Sequence, residues 1–301
     1  MYNISFLDLH FWYDLPLFIQ YLFIIIIGLC AGSFINVVVY RLPIIFENQL
    51  QQYIINEQNK LKTNQELEIT SPKQADFLVV ENNTFSLSKP ASKCSQCGYK
   101  LKWYDNIPVV SWIFLQAKCR KCSSKISIQY PIVELISGLG AGFCYYAFNH
   151  TIAAFMALIF FWLILTIIIL DAKTQLLPDE LSQPLIFIGL FCSIFNIFIN
   201  STDAIIGFLV PFTLLWGIAY LFKLIKGYQG LGEGDPYLLG GIGAWCGVEV
   251  SLYAIFYASI SGIVFVILRK IFLNKPVENS IAFGPFIGIF GLILFFQKYF
   301  I

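Results

Sequence analysis

The chain has 301 residues, of which 58% are hydrophobic and only 12% charged, with a mean hydropathy of +0.73. Soluble domains carry roughly 25% charged residues, so this balance excludes an ordinary soluble domain, and a net charge of +1 gives no sign of a nucleic-acid partner. Several apolar runs approach the ~20 residues that cross a bilayer, which implies an all-α polytopic membrane protein with about eight transmembrane helices.

Before the first apolar run stand Asp8 and Asp14 but no Lys or Arg. A signal peptide would begin with a basic region, so the first helix is expected to be retained. Helices are expected over 15–40, 131–149, 152–170, 181–199, 204–222, 236–248, 250–268 and 281–298. In the first, Gly28 and Gly32 are four apart, share a face and permit a close helix neighbour. Asn36 on the same helix needs a partner, because an unpaired amide in hydrocarbon is costly. Pro43 is expected to stop the helix. Residues 44–89 are polar and read as a solvated insert that carries no chemistry.

Next come Cys94-Ser95-Gln96-Cys97 and Cys119-Arg120-Lys121-Cys122. Two C-x-x-C pairs at this separation form a four-thiolate metal pattern, and tetrahedral zinc suits it. Disulfides or free thiols are the alternative. With all four positions filled by protein, such a zinc would be structural. Cys30, Cys144, Cys192 and Cys246 sit singly in apolar runs and read as small buried hydrophobes. Between the pairs, the aromatic stretch from Trp103 to Trp112 is either the core of the module or a surface lying on the membrane. Pro131 suits a first helical turn, and Glu134 reads as an acid in that turn, where the helix dipole favours it.

Charge sets the topology. Twelve of the 19 Lys and Arg residues lie between Arg41 and Lys125. Lys173, Lys223, Lys226, Arg269, Lys270 and Lys275 fall in alternate loops, and the loops between them hold no Lys or Arg. The positive-inside rule then places residues 41–130 in the cytoplasm and the N-terminus outside. His10 and His150 fall on the outer side, far from any cytoplasmic Ser or Cys nucleophile.

Two acids end up at the cytoplasmic ends of helices. Asp171 closes the apolar run that begins at Phe160, and a negative charge at a helix C-terminus is unfavourable, so local structure gives no reason for it. Asp179 has such a reason, as an N-cap of the next helix. Asp235 could also cap a helix, but Gly232 and Gly234 ahead of it allow unusual backbone angles and close approach of a substrate backbone. The following segment, with Gly240, Gly241, Gly243 and Gly247, is short for a span and suggests a tilted or protein-buried helix. If Asp171 and Asp235 converge, they share a proton. One can then act as base on a water while the other donates to a peptide carbonyl, which needs neither a metal nor a covalent intermediate. A proton-coupled transporter would place its acids at mid-membrane and show a repeat.

Taken together, these segments resemble the type IV prepilin peptidase family. The likeness is carried by Gly32-Ser33-Phe34-Ile35-Asn36-Val37-Val38 with Arg41-Leu42-Pro43, both C-x-x-C pairs, Asn106-Ile107-Pro108-Val109-Val110-Ser111-Trp112 and Tyr130-Pro131-Ile132-Val133-Glu134-Leu135. It continues through Asp171, Gln175-Leu176-Leu177-Pro178-Asp179, Gly232-Glu233-Gly234-Asp235 and Phe283-Gly284-Pro285-Phe286. It departs from the family's common pattern at Ser95, Ala117 and Gln129, all in or beside the cysteine module.

The resemblance implies an aspartic endopeptidase of the bacterial inner membrane with Asp171 and Asp235 as its catalytic pair. Such an enzyme cuts prepilins and type II secretion pseudopilins after the glycine that ends a basic leader. It also implies methylation of the new N-terminal residue with S-adenosylmethionine as methyl donor. The expected organisation is a first transmembrane helix and flank over 1–43, a cytoplasmic loop over 44–130 with the zinc module at 94–122, and a peptidase core over 131–301. The expected partners are membrane lipid and substrates with an apolar N-terminal helix, which packs between the enzyme's helices. The rival readings are a peptidase without methyltransferase activity and a membrane scaffold or transporter. A presenilin-type intramembrane protease shares the glycine-flanked acid, but the cysteine module and the Asn-Ile-Pro-Val segment argue against it.

Overall fold

A computed structural model describes residue 12 and residues 14–65, 85–228, 230–273 and 281–300. His10, residues 66–84 of the polar insert and Lys275 lie outside the described residues. The regular structure is helical: α1 (Leu17–Gln65), α2 (Val110–Phe114), α3 (Gln129–Ala147), α4 (Ile152–Thr174), α5 (Asp179–Ile194), α6 (Ser201–Lys226), α7 (Asp235–Cys246), α8 (Val248–Leu273) and α9 (Gly284–Phe300). Each of the eight expected helices has a counterpart, α2 being additional. By length and composition α1, α4, α6 and α8 are able to cross a membrane, and α9 is a shorter apolar helix.

Pro43 does not end the first helix, which runs on to Gln65. Proline removes one hydrogen bond, at a cost of about 3 kcal/mol in a helix interior. The Glu, Gln, Leu and Lys residues that follow are good helix formers and carry the helix onward. Residues 44–65, expected to belong to an irregular solvated insert, are therefore helical. Close packing distinguishes two units, one of Met1–Ile35 with Pro131–Ile301 and one of Asn36–Tyr130.

In the first unit α7 is the centre. Behind Asp235 the ten positions other than Tyr237 are all buried, nine of them glycine, aliphatic, proline or aromatic and the last Cys246. Glycines let neighbours reach its backbone. A Cβ at Gly243 would stand 1.8 Å from the Gly207 carbonyl of α6, and one at Gly241 would meet Leu185 of α5 at 2.7 Å. From the facing helices, Gly291 of α9 makes room for Ile242, and Gly189 of α5 for Trp245. Trp245 donates from Nε1 to the Leu185 carbonyl at 2.7 Å. The free carbonyls at the end of α7 receive Lys298 Nζ at Cys246 (2.8 Å) and the Tyr299 hydroxyl at Trp245 (3.2 Å), a cation where the helix dipole is negative. Helix α4 is apolar on every side, and Phe160, Ile164, Ile167 and Leu170 are fully enclosed.

Gly28 and Gly32 do face a helix: a Cβ at either would come 2.6 Å from Ala141 or Glu134 of α3. Ser137 of α3 donates to the Gly28 carbonyl at 2.6 Å. Glu134 is the sixth residue of α3 and buried. It therefore lies beyond the first turn, and the dipole reading does not hold for it. Cys144, Cys192 and Cys246 are buried as expected, but Cys30 is exposed.

In the second unit, Asn36 finds its partner, donating from Nδ2 to the Tyr130 carbonyl at 3.1 Å. Arg41 is buried, and its guanidinium donates to the carbonyls of Ser86, Leu87 and Pro90 at 2.9, 3.2 and 2.7 Å.

Candidate active site and metal centre

Asp171 sits in the last turn of α4. The chain then reverses at Gln175, which takes a left-handed conformation (φ 54°) and returns its N–H to the Asp171 carbonyl at 2.9 Å. Asp235 opens α7 and folds its side chain back on the preceding loop, where Oδ2 accepts the Gly232 N–H at 3.1 Å. Both side chains are buried, each 3% exposed. They are close enough to interact electrostatically. Neither has a cationic partner among the described residues.

Leu177 joins the two halves of the site. Its Cβ lies 2.2 Å from where a Cβ of Gly234 would be, beside Asp235. Its Cδ1 lies 3.3 Å from that of Gly284, which in turn would approach Asp171 Oδ2 to 2.7 Å. The turn after α4, the loop before α7 and the start of α9 thus close around the acids. Gly234 is needed for space and not for its angles, since its φ is −83° and Gly232 is not left-handed either. Asp171 Oδ2 is buried without a hydrogen-bond partner.

Asp179 does not belong to this group. Pro178 is the N-cap of α5, and Asp179 follows it in the first turn, exposed to solvent. Leu177 had a sequence signal only through the Gln175-Leu176-Leu177-Pro178-Asp179 stretch. Gly284 had one only through the Phe283-Gly284-Pro285-Phe286 stretch. Two buried acids with no counter-cation are costly unless a proton or a substrate compensates, and such a pair is equipped for general acid–base chemistry.

The four cysteines meet in the second unit. All four sulfurs lie within 4.8 Å of one another. Cys94 and Cys122 are 3.8 Å apart, and Cys97 and Cys119 3.9 Å. Sulfurs at 2.3 Å from a tetrahedral zinc stand about 3.8 Å apart, so the cluster could hold such an ion. The two knuckles are built alike. Gly98 (φ 68°) returns its N–H to the Cys94 carbonyl, and Ser123 (φ 58°) returns its N–H to the Cys119 carbonyl. Backbone N–H groups of Cys97 and then Gln96, with the Ser124 hydroxyl, lower the Cys94 thiol to about 6. Between the knuckles Asp105 is held by Arg120 at 2.8 Å and by the Lys102 N–H at 3.1 Å.

Residues 26–148 match the family model of the bacterial peptidase A24 N-terminal domain, and residues 158–267 that of the type IV leader peptidase family. The first stretch contains the four cysteines and the second both aspartates. The Dichelobacter nodosus protein named prepilin leader peptidase/N-methyltransferase is 33% identical over 273 residues, covering 91% of this chain and 90% of that protein. Proteins of the same name from Pseudomonas aeruginosa and Neisseria gonorrhoeae are 35% and 32% identical over 270 residues, covering 89% and 90% of this chain and 87% and 88% of their own. No solved structure matches the chain.

Proposed function

The chain belongs to the type IV leader peptidase family, and we propose that it is an aspartic endopeptidase that removes the leader of type IV prepilins and type II secretion pseudopilins, then N-methylates the new N-terminal residue. The observation that carries the peptidase is the buried pair Asp171 and Asp235, enclosed by Leu177, Gly234 and Gly284. One acid, as carboxylate, takes a proton from water as the water attacks the scissile carbonyl. The other, protonated, donates to the carbonyl oxygen. The two then exchange roles to protonate the departing amine.

The methyl transfer is supported by the printed name of the relatives, with S-adenosylmethionine as the donor. Zinc is the ion proposed for Cys94, Cys97, Cys119 and Cys122, where it would supply a structural crosslink with no open coordination position. The distribution of Lys and Arg supports a bacterial inner-membrane protein with about eight spans, a periplasmic N-terminus and a catalytic pair facing the cytoplasm. On this reading the peptidase core is 131–301, the first transmembrane helix and flank 1–43, and the cysteine-bearing loop 44–130. The substrate's apolar N-terminal helix would pack between the enzyme's helices, so a leader peptide lacking that helix is expected to be cut poorly.

The test is the intact mass of a pilin recovered from membranes that contain the enzyme and its precursor. Loss of the leader with a gain of one methyl supports both activities. Loss of the leader alone leaves a peptidase only. An uncut precursor would overturn the proposal.

A further inference from the structure

The cysteine module exposes an apolar face that nothing in its own fold covers. α2 carries Val110, Ile113 and Phe114 at helical spacings of three and four, on one side. Trp112 points the other way and donates from Nε1 to the Ile126 carbonyl at 3.3 Å, which fixes which side of α2 is inward. The turn before it, Trp103–Asn106, packs next to α2 and adds Trp103. Trp103 is 80% exposed, Phe114 83% and Ile113 61%, and Ile107 and Val110 are exposed as well. These are the large apolar residues that a small module would bury first. Here the buried positions between residues 91 and 128 are Cys119 and Asp105 instead.

The charge of the module is one-sided. Lys93, Lys100, Lys102, Lys118, Lys121 and Lys125 are all exposed, with Arg120 beside them. From residue 91 to 128 the sole acid is Asp105, and it is paired with Arg120. A divalent ion bound by four thiolates carries two net negative charges, which still leaves a positive surplus.

We propose that this face is an interfacial membrane-binding surface whose occupant is an anionic lipid bilayer. Trp103, Ile107, Val110, Ile113 and Phe114 enter the boundary between headgroups and acyl chains, and the lysines reach lipid phosphates. Two observations favour lipid. Exposed aromatic and branched residues on a module whose exposed charges are basic, with a single acid, match the interfacial zone of an anionic leaflet in both polarity and sign. The chain also has four helices able to cross a membrane, so it lives at a bilayer and the surface needs no separate targeting. The proposal is independent of the peptidase reading.

The test uses the full-length protein in nanodiscs, with the photoreactive substitution Phe114→p-benzoylphenylalanine and, separately, the same residue at Trp103. Both positions are solvent-exposed, so the change leaves the module's interior intact. The exposed knuckle position Gln96 serves as the control. In discs containing phosphatidylglycerol, irradiation is expected to give lipid adducts at 114 and 103 and none at 96, with a several-fold lower yield in pure phosphatidylcholine. Adducts with peptides of the same chain or of a second copy would overturn the proposal. So would the absence of lipid adducts, or equal yields in the two bilayers.

Discussion

Several helical hydroxyls bond back to the preceding turn: Thr166 to Trp162, Thr174 to Leu170, Ser193 to Leu190 and Ser251 to Val248. Ser182 does not, although it is buried and its Oγ has no partner. Enclosing an unpaired hydroxyl is unfavourable, so Ser182→Ala is expected to leave the melting temperature unchanged or to raise it. Ser137→Ala breaks the bond to Gly28 between α3 and α1, and is expected to cost about 1 kcal/mol. Thermal unfolding in detergent checks both. The acids separate in the same manner. Asp179 is exposed in the first turn of α5, where its charge is favourable on any helix. Asp179→Asn is therefore expected to leave prepilin cleavage intact. A loss of cleavage with unchanged protein level would place Asp179 in the chemistry.

At the scale of elements, α7 depends on backbone contact with α6. Gly243→Ala would set a Cβ against the Gly207 carbonyl, which is main chain and cannot rotate away. The two helices must separate, at a cost of at least about 3 kcal/mol. Gly217 lies in the same α6 with nothing within 4 Å of a Cβ. Gly217→Ala is expected to stabilise by about 0.5–1 kcal/mol, since alanine loses less backbone entropy in a helix. Denaturation of the two variants side by side tests the contrast. For the module, Cys119→Ser removes one of the four candidate ligands. Elemental analysis is expected to find zinc in the unmodified chain and to find it lost in the variant.

These elements also show what the sequence could reveal. Hydropathy and charge located the eight main helices, and cysteine spacing predicted the sulfur cluster. The short glycine-rich segment was recognisable as a buried helix, because it was too short to span and too apolar to be exposed. Pro43 misled, since a local helix breaker was outweighed by the helix formers that follow it. Glu134 misled because its depth depends on where α3 begins. Leu177 stood in the Gln175–Asp179 stretch, but its role was not legible there, because what a leucine touches is decided only when three segments close around it. The spacing between Asp171 and Asp235 likewise said only that both stand at helix ends. Their approach is a tertiary fact, created by glycines that admit close neighbours.

In the whole molecule, a helical membrane frame brings two buried acids together at one end of α4 and α7, and a cysteine module forms a separate unit. Four spans by length and composition, the alternation of Lys and Arg between loops, and a family match over most of the chain agree with a membrane peptidase. The most direct test of the central claim is prepilin cleavage in membranes by the unmodified enzyme, Asp171→Asn and Asp235→Asn at matched protein levels, with the pilin mass read by spectrometry. Loss of cleavage in both variants is the predicted result. Full cleavage by either would contradict the assignment of Asp171 and Asp235 as the catalytic pair.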